Sequence, residues 1–285
     1  MRGIAAAVVG VLVASVLGAC APSVAAGELP DGVSVELVQL RSDVAGRTAQ
    51  IRVINESDLD LTVTSLAVDD PRFEGEATRD KVTVIEAGRT VALRFELPPA
   101  ACISADGEPI ADEGEASVTL LYDTIDGSFT STAALVEPLG FVPRLHDREC
   151  LRQQLTSVVG LEWTGFTPSA SGVPAALTLG LAPSGSGTAV IAGIRTTNLL
   201  KFTIDGDDDL VLDATAGGSD DVMSIDVPLV PWRCDPHAVQ EDKRGTVFTV
   251  DVEVDGKSGP IEVAASEKLR ADILTWVAQW CGFAE

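Results

Sequence analysis

The chain has 285 residues, 46% of them hydrophobic, with 43 Asp and Glu against 20 Lys and Arg and a mean hydropathy of +0.24. That apolar fraction excludes wholesale disorder, and a formal charge of −23 with no basic cluster along the sequence argues against nucleic-acid binding, which needs Lys and Arg to displace phosphate counterions. The length suits about two domains.

The chain opens with a single charge, Arg2, and an apolar run from Ile4 to Leu17, which has the size of a signal-peptide core and is short for a bilayer span. Residues 1–19 are therefore set aside from the fold. The run ends in Leu17, Gly18, Ala19 and Cys20, a tetrapeptide that resembles the lipobox of bacterial lipoproteins. That resemblance implies a diacylglyceryl group on the Cys20 thiol, cleavage just before it, and a lipid anchor at the extracytoplasmic face of the cell membrane. A plain secretory signal cut near Ala26, or an uncleaved anchor, is the other reading of these residues. Two acyl chains suffice for stable anchoring without a transmembrane helix. Loss of residues 1–19 removes only Arg2, leaving 19 basic against 43 acidic residues, so anionic headgroups repel the body. Residues 20–32, with Pro22 and Pro30, read as a lipidated tether on which it stands off the membrane. The low lysine content, with abundant Ala, Val, Gly and Asp, is similar to that of surface lipoproteins from high-GC Gram-positive bacteria.

Past the tether, short segments rich in Val, Ile, Leu and Thr predict strands at 33–40, 48–54, 61–68, 81–85, 90–97, 117–122 and 129–136. Turn residues separate them, among them Asp126-Gly127, a pair suited to a tight hairpin. Seven such strands in about 105 residues predict an antiparallel sandwich of immunoglobulin type. A weak helix is expected over 151–161, and a linker over 164–174, where Pro168, Ser169, Ser171, Gly172 and Pro174 cluster. A second strand series follows at 175–182, 188–195, 199–204, 209–213, 222–230, 246–254 and 260–265. The expected fold is thus mainly β: two tandem sandwiches, 33–163 and 175–285, each with a C-terminal helical segment. The run ending in Cys102 matches the run ending in Cys234, and Asp126-Gly127 matches Asp255-Gly256, so the halves read as a duplication. A further echo pairs Glu149, Cys150, Leu151 and Arg152 with Glu267, Lys268, Leu269 and Arg270.

Lipidation of Cys20 leaves four cysteines in an exported chain, and four permit three disulfide connectivities. Pairing Cys102 with Cys150 and Cys234 with Cys281 respects the domain boundaries and is the expected set. The clearest helix is the last. Leu269, Ile273, Trp276, Val277, Trp280 and Cys281 share one face, Ser266 is placed to cap it, and Gly282 to end it. Its two Trp should pack across the second sandwich. An exposed Trp patch gripping glycan or lipid is the competing reading.

Reactive constellations are few. His146 and His237 each lie near a cysteine in what reads as a polar turn, and no Gly-x-Ser-x-Gly elbow occurs; Gly185-Ser186-Gly187 reads as a hairpin. No catalytic residue and no cofactor are assigned. Asp205, Asp207 and Asp209 imitate the start of a Ca²⁺ loop and are the weak metal candidates, but Leu210 stands where that loop needs Gly and Ala216 where it needs Glu. The expected function is non-catalytic binding or scaffolding for an envelope protein or a cell-wall polymer. A Ca²⁺-binding surface module, and after it a hydrolase, are the alternatives.

Overall fold

The computed structural model describes residues 25–44, 46–104, 106–110, 115–206, 208–218, 221–241 and 244–283. The expected signal peptide and Cys20 lie outside them. In chain order the first half runs β1 (Ala25–Gly27), β2 (Val33–Val38), α1 (Arg41–Val44), β3 (Thr48–Asn55), β4 (Leu61–Asp69), β5 (Ala77–Arg79), β6 (Thr83–Ile85), β7 (Arg89–Glu96), β8 (Ser117–Thr124), β9 (Gly127–Ala134) and α2 (Phe141–Val158). The second half runs β10 (Val159–Thr167), β11 (Ala175–Pro183), β12 (Thr188–Ile194), β13 (Leu200–Lys201), β14 (Leu210–Gly217), β15 (Met223–Pro231), α3 (Pro236–Glu241), β16 (Val247–Val254), β17 (Lys257–Ala264) and α4 (Glu267–Trp280).

Period-two patterning builds two sandwiches. In β3, Ala49, Ile51 and Val53 point inward and are fully buried, while Arg52 between them is exposed. The sheet β2-β3-β7 packs through such residues on the sheet β1-β9-β8-β4-β5, to which β6 adds by pairing with β4. The second half repeats the arrangement: β10-β11-β15 corresponds to β2-β3-β7, and β17-β16-β12-β14 corresponds to β9-β8-β4-β6. The short strand between differs, since β5 pairs with β4 whereas β13 pairs with β15 in the opposite sheet. Both halves are immunoglobulin-like sandwiches, as expected.

The Asp-Gly turns are equivalent in place but not in register. Asp255 and Gly256 form the two-residue turn between β16 and β17, with φ of 49° and 77°, the left-handed pair that such a turn requires. In the first sandwich the turn slips back one residue to Ile125-Asp126, and Gly127 already pairs with Thr124. Gly185-Ser186-Gly187 is not a hairpin: β11 and β12 belong to different sheets, so this segment arches from one to the other.

Three expectations are corrected. Residues 25–32 are not free tether, because β1 adds in parallel to β9, the Ser131 hydroxyl donates to the Glu28 carbonyl at 2.8 Å, and Leu29 packs on the core. Residues 164–174 are not a linker, because β10 carries on to Thr167 as the first strand of the second sandwich, in register with β11. The helix is not confined to 151–161. It begins at Phe141, tolerates Pro143 in its first turn where no N–H partner is needed, and stops at Val158, where β10 begins without a gap.

That helix joins the cores. Phe141, Val142 and Leu145 complete the first; Leu151, Leu155 and Val158 belong to the second. At 100° per residue the two apolar sets are turned from one another by roughly 120°, so each half of α2 faces its own sandwich. Glu137 accepts from the Val142 N–H at 2.7 Å and so satisfies a main-chain donor that the first turn leaves without a helical partner.

Candidate functional site

The disulfides lie where the spacing expected them. Cys102, in the loop after β7, bonds to Cys150 on α2, and Cys234, after β15, bonds to Cys281 at the end of α4, with Cα–Cα distances of 5.3 Å in both. Each bridge thus ties the segment after the corresponding strand, β7 or β15, to the helix of its own half, in mid-helix in the first and at the helix end in the second. The Glu-x-Leu-Arg echo does not align either, since Glu149 lies in the middle of α2 and Glu267 begins α4. The expected packing of α4 holds: Trp276 is 2% exposed and donates to the Ser169 carbonyl, Trp280 donates to the Val173 carbonyl at 3.2 Å, and the Ser266 hydroxyl accepts from the Leu269 N–H. These Trp close the second core. Trp276 is buried and Trp280 half-buried against that core, so α4 carries no pair of exposed Trp rings.

Among the described residues the acidic loop gathers no ligand set. Asp209 accepts from the Thr196 N–H at 2.7 Å, Asp205 is exposed, and Asp207 lies outside the described residues. Among the described residues no three His, Cys, Asp or Glu side chains come together as metal ligands. His237 is exposed in the first turn of α3. His146 is not in a turn but on α2, 3% exposed, with Nε2 donating to the Ala101 carbonyl at 3.0 Å and lying 3.5 Å from the Cys150 sulfur. Its Nδ1 has no hydrogen-bond partner among the described residues.

Sequence reasoning missed the seam between the sandwiches, where α2 is flanked by two clefts. The first, of about 740 Å³, is lined by Arg47, Arg148, Arg152, Arg244, Glu149, Glu262 and the polar side chains Gln153, Thr156 and Ser157, with Val44 at its edge. The second, of about 570 Å³, takes Arg144, Arg148 and Asp147 from α2, the Cys102–Cys150 bridge from the first sandwich, and Lys257 to Pro260 from β17. Arg148 lines both. A chain with no basic cluster in its sequence thus has one in space.

The cationic groups of the seam are not equivalent. Arg47, at a φ of 48°, is a clamp: its guanidinium pairs with Glu149 (Nη2–Oε2 2.8 Å) and donates to the carbonyls of Leu97 and Pro98, while its own carbonyl accepts from Leu97. Arg244 pairs with Glu262. Both carboxylates are thereby engaged. Arg152 donates to the Glu262 main-chain carbonyl, which is neutral, and among the described residues no carboxylate pairs with it or with Arg148. The signal in the sequence was the run Arg144, Arg148, Arg152 at four-residue steps, legible only once this stretch is known to be helical.

The frame that holds these groups is tight. A Cβ at Gly185 would stand 2.3 Å from the Ser157 carbonyl, so the inter-sheet arch can touch the end of α2 only because that residue is glycine. The Ser184 hydroxyl donates to the Thr156 carbonyl at 2.7 Å, and Gln154 donates to Asp255 at 3.0 Å. No helix among the described residues is long and apolar enough to cross a membrane.

No family model and no curated protein matches the chain. Among solved structures it is similar to red sea bream transglutaminase, at 10% identity and a TM-score of 0.22, over 83% of this chain and 31% of that one. It is also similar to the CsuC–CsuE chaperone–tip adhesion subunit pre-assembly complex from Acinetobacter baumannii, at 13% identity and a TM-score of 0.17, over 78% of this chain and 93% of that one. A chaperone–tip adhesin complex of CFA/I fimbriae biogenesis gives 9% identity and a TM-score of 0.15, over 85% and 96%. The chain spans about a third of the transglutaminase, and likeness at this level carries no argument about activity or partners.

Proposed function

We propose that this protein is a lipid-anchored, extracytoplasmic and non-catalytic binding module that holds an envelope partner against the seam between its two sandwiches. The observation that carries the reading is the clustering of Arg148 and Arg152, without carboxylate partners among the described residues, beside α2 in a chain of net charge −23. A surface with a local reversal of charge suits recognition. The non-catalytic part is supported by how the reactive side chains are spent: Cys102 and Cys150 are bridged, and His146 donates to a main-chain carbonyl.

The anchor rests on Leu17-Gly18-Ala19-Cys20. If Cys20 carries the lipid, the five residues from it to the start of β1 reach at most about 18 Å, which keeps the first sandwich close to the bilayer rather than on a long stalk. A Cys20→Ser variant is expected in the medium or unprocessed. If it fractionates with membranes as the parent does, the anchor is something else. For the partner, a photo-crosslinking residue at Gln153, an exposed side chain in the first cleft, should capture an envelope component that the same residue at Lys268 on the outer face of α4 does not. Equal capture from both positions overturns the seam as the binding site.

A further inference from the structure

The seam's chemistry goes further than the binding reading on which this inference rests, and it defines the ligand. Arg144, Arg148 and Arg152 follow one another at four-residue steps along α2, about 6 Å apart along the axis. Like charges so placed repel and disfavour the helix that carries them. Nothing in the fold relieves this at Arg148, which has no ion pair among the described residues, and Arg152 is met only by a neutral carbonyl. Of the carboxylates along the clefts, Glu149 and Glu262 are held by Arg47 and Arg244, and Asp147, next to Arg148 in the chain, makes no ion pair with it. Arg148 lines both clefts, with Arg152 in the first and Arg144 and Lys257 in the second, so the arginine row links the two as one cationic track past the helix.

We propose that this track binds a linear polymer of repeating phosphodiesters, with Arg148 and Arg152 as the groups that contact its phosphates. Three features select this class. Guanidinium groups hold phosphate oxygens through paired N–H bonds, and a row of them fits an anion that recurs along a chain. The first cleft offers Gln153, Thr156 and Ser157 beside the arginines and only Val44 as an aliphatic wall, whereas a protein partner would need apolar or aromatic anchors at the centre of its contact. Finally, the body's negative charge is screened beyond about 8 Å at physiological ionic strength, so a flexible thin polyanion can reach the arginines where a bulky acidic domain is turned away.

The test is calorimetric titration of the full chain, in detergent, with a synthetic oligo(glycerol phosphate) of eight units. The expected result is saturable binding that weakens as salt is raised. In an Arg148→Gln/Arg152→Gln variant affinity falls at least tenfold with the thermal midpoint unchanged or raised, because no ion pair of the fold is lost. A Lys268→Gln variant, on the outer face of α4, keeps the parental affinity. Absence of heat at millimolar oligomer, equal binding of a poly-glutamate of matched charge, equal binding of inorganic phosphate per phosphate, or parental affinity in the double variant each overturns the proposal. If the oligomer fails while the Gln153 crosslinker still captures an envelope component, the ligand assignment alone falls. If both fail, the binding reading falls with it.

Discussion

Asp70 and Arg72, two residues apart after β4, are both buried and held together by paired bonds, Nε–Oδ1 at 2.9 Å and Nη2–Oδ2 at 2.7 Å, with the Arg72 N–H also donating to Asp70. Such a pair contributes little net stability while intact, because desolvating two charges offsets their attraction, but removing one member leaves the other charge buried without its ion-pair partner. Asp70→Ala is accordingly expected to lose about 3–5 kcal/mol in urea unfolding. A loss below about 1 kcal/mol would mean that water or another group takes over the guanidinium. At this scale the sequence is legible in its cysteines, whose number and spacing permit few bridges. It is mute about Arg47 and Glu149, which meet from 102 residues apart because a clamp of this kind leaves no periodic trace.

Among the elements, α4 and α2 make the instructive contrast. In α4 one apolar face points at one core, so a single period finds it, and Ser266 marks its start. Ser266→Ala should cost about 1 kcal/mol, measured by denaturant midpoint at unchanged m-value. α2 serves two cores on two sides, so its apolar residues fit no single stripe, and Pro143 in its first turn reads as a breaker. Its seat on the second sandwich depends on Gly185. Gly185→Ala should destabilise by about 1–3 kcal/mol, since the added methyl meets main chain rather than a yielding side chain. Stability equal to the parent's would show that the arch can move off the helix.

For the whole molecule, a continuous helix buried at both ends in different cores couples the sandwiches, and β10 follows it without a linker. A fragment of residues 175–285 lacks β10, and with it the buried Trp163 whose indole N–H donates to the Val263 carbonyl and whose ring packs 4.8 Å from Phe248. It should therefore show no cooperative thermal transition, whereas a fragment of 139–285, with α2 and β10 restored, should melt as one unit. A cooperative transition in the shorter fragment would show that β10 is dispensable. Replacing Cys234 and Cys281 by Ser in the full chain opens a loop of 47 residues and should lower stability by about 4 kcal/mol on the chain-entropy view, read as a lower midpoint.

Read alone, the sequence determined what local chemistry can carry: strands with alternating faces, the Asp255-Gly256 turn, the capped Trp helix, and two bridges within two halves of repeated strand series. These follow from period, turn preference and spacing, all properties of neighbours in the chain. The union of the two cores through α2, the docking of residues 25–27 on β9, and the gathering of Arg47, Arg148, Arg152 and Arg244 beside one helix were decided only by the tertiary structure. Each joins residues whose separation along the chain bears no relation to their distance in space. Because like charges scattered through an acidic sequence give no signal until a helix stacks some of them and a second domain brings up the rest, the candidate site became visible last.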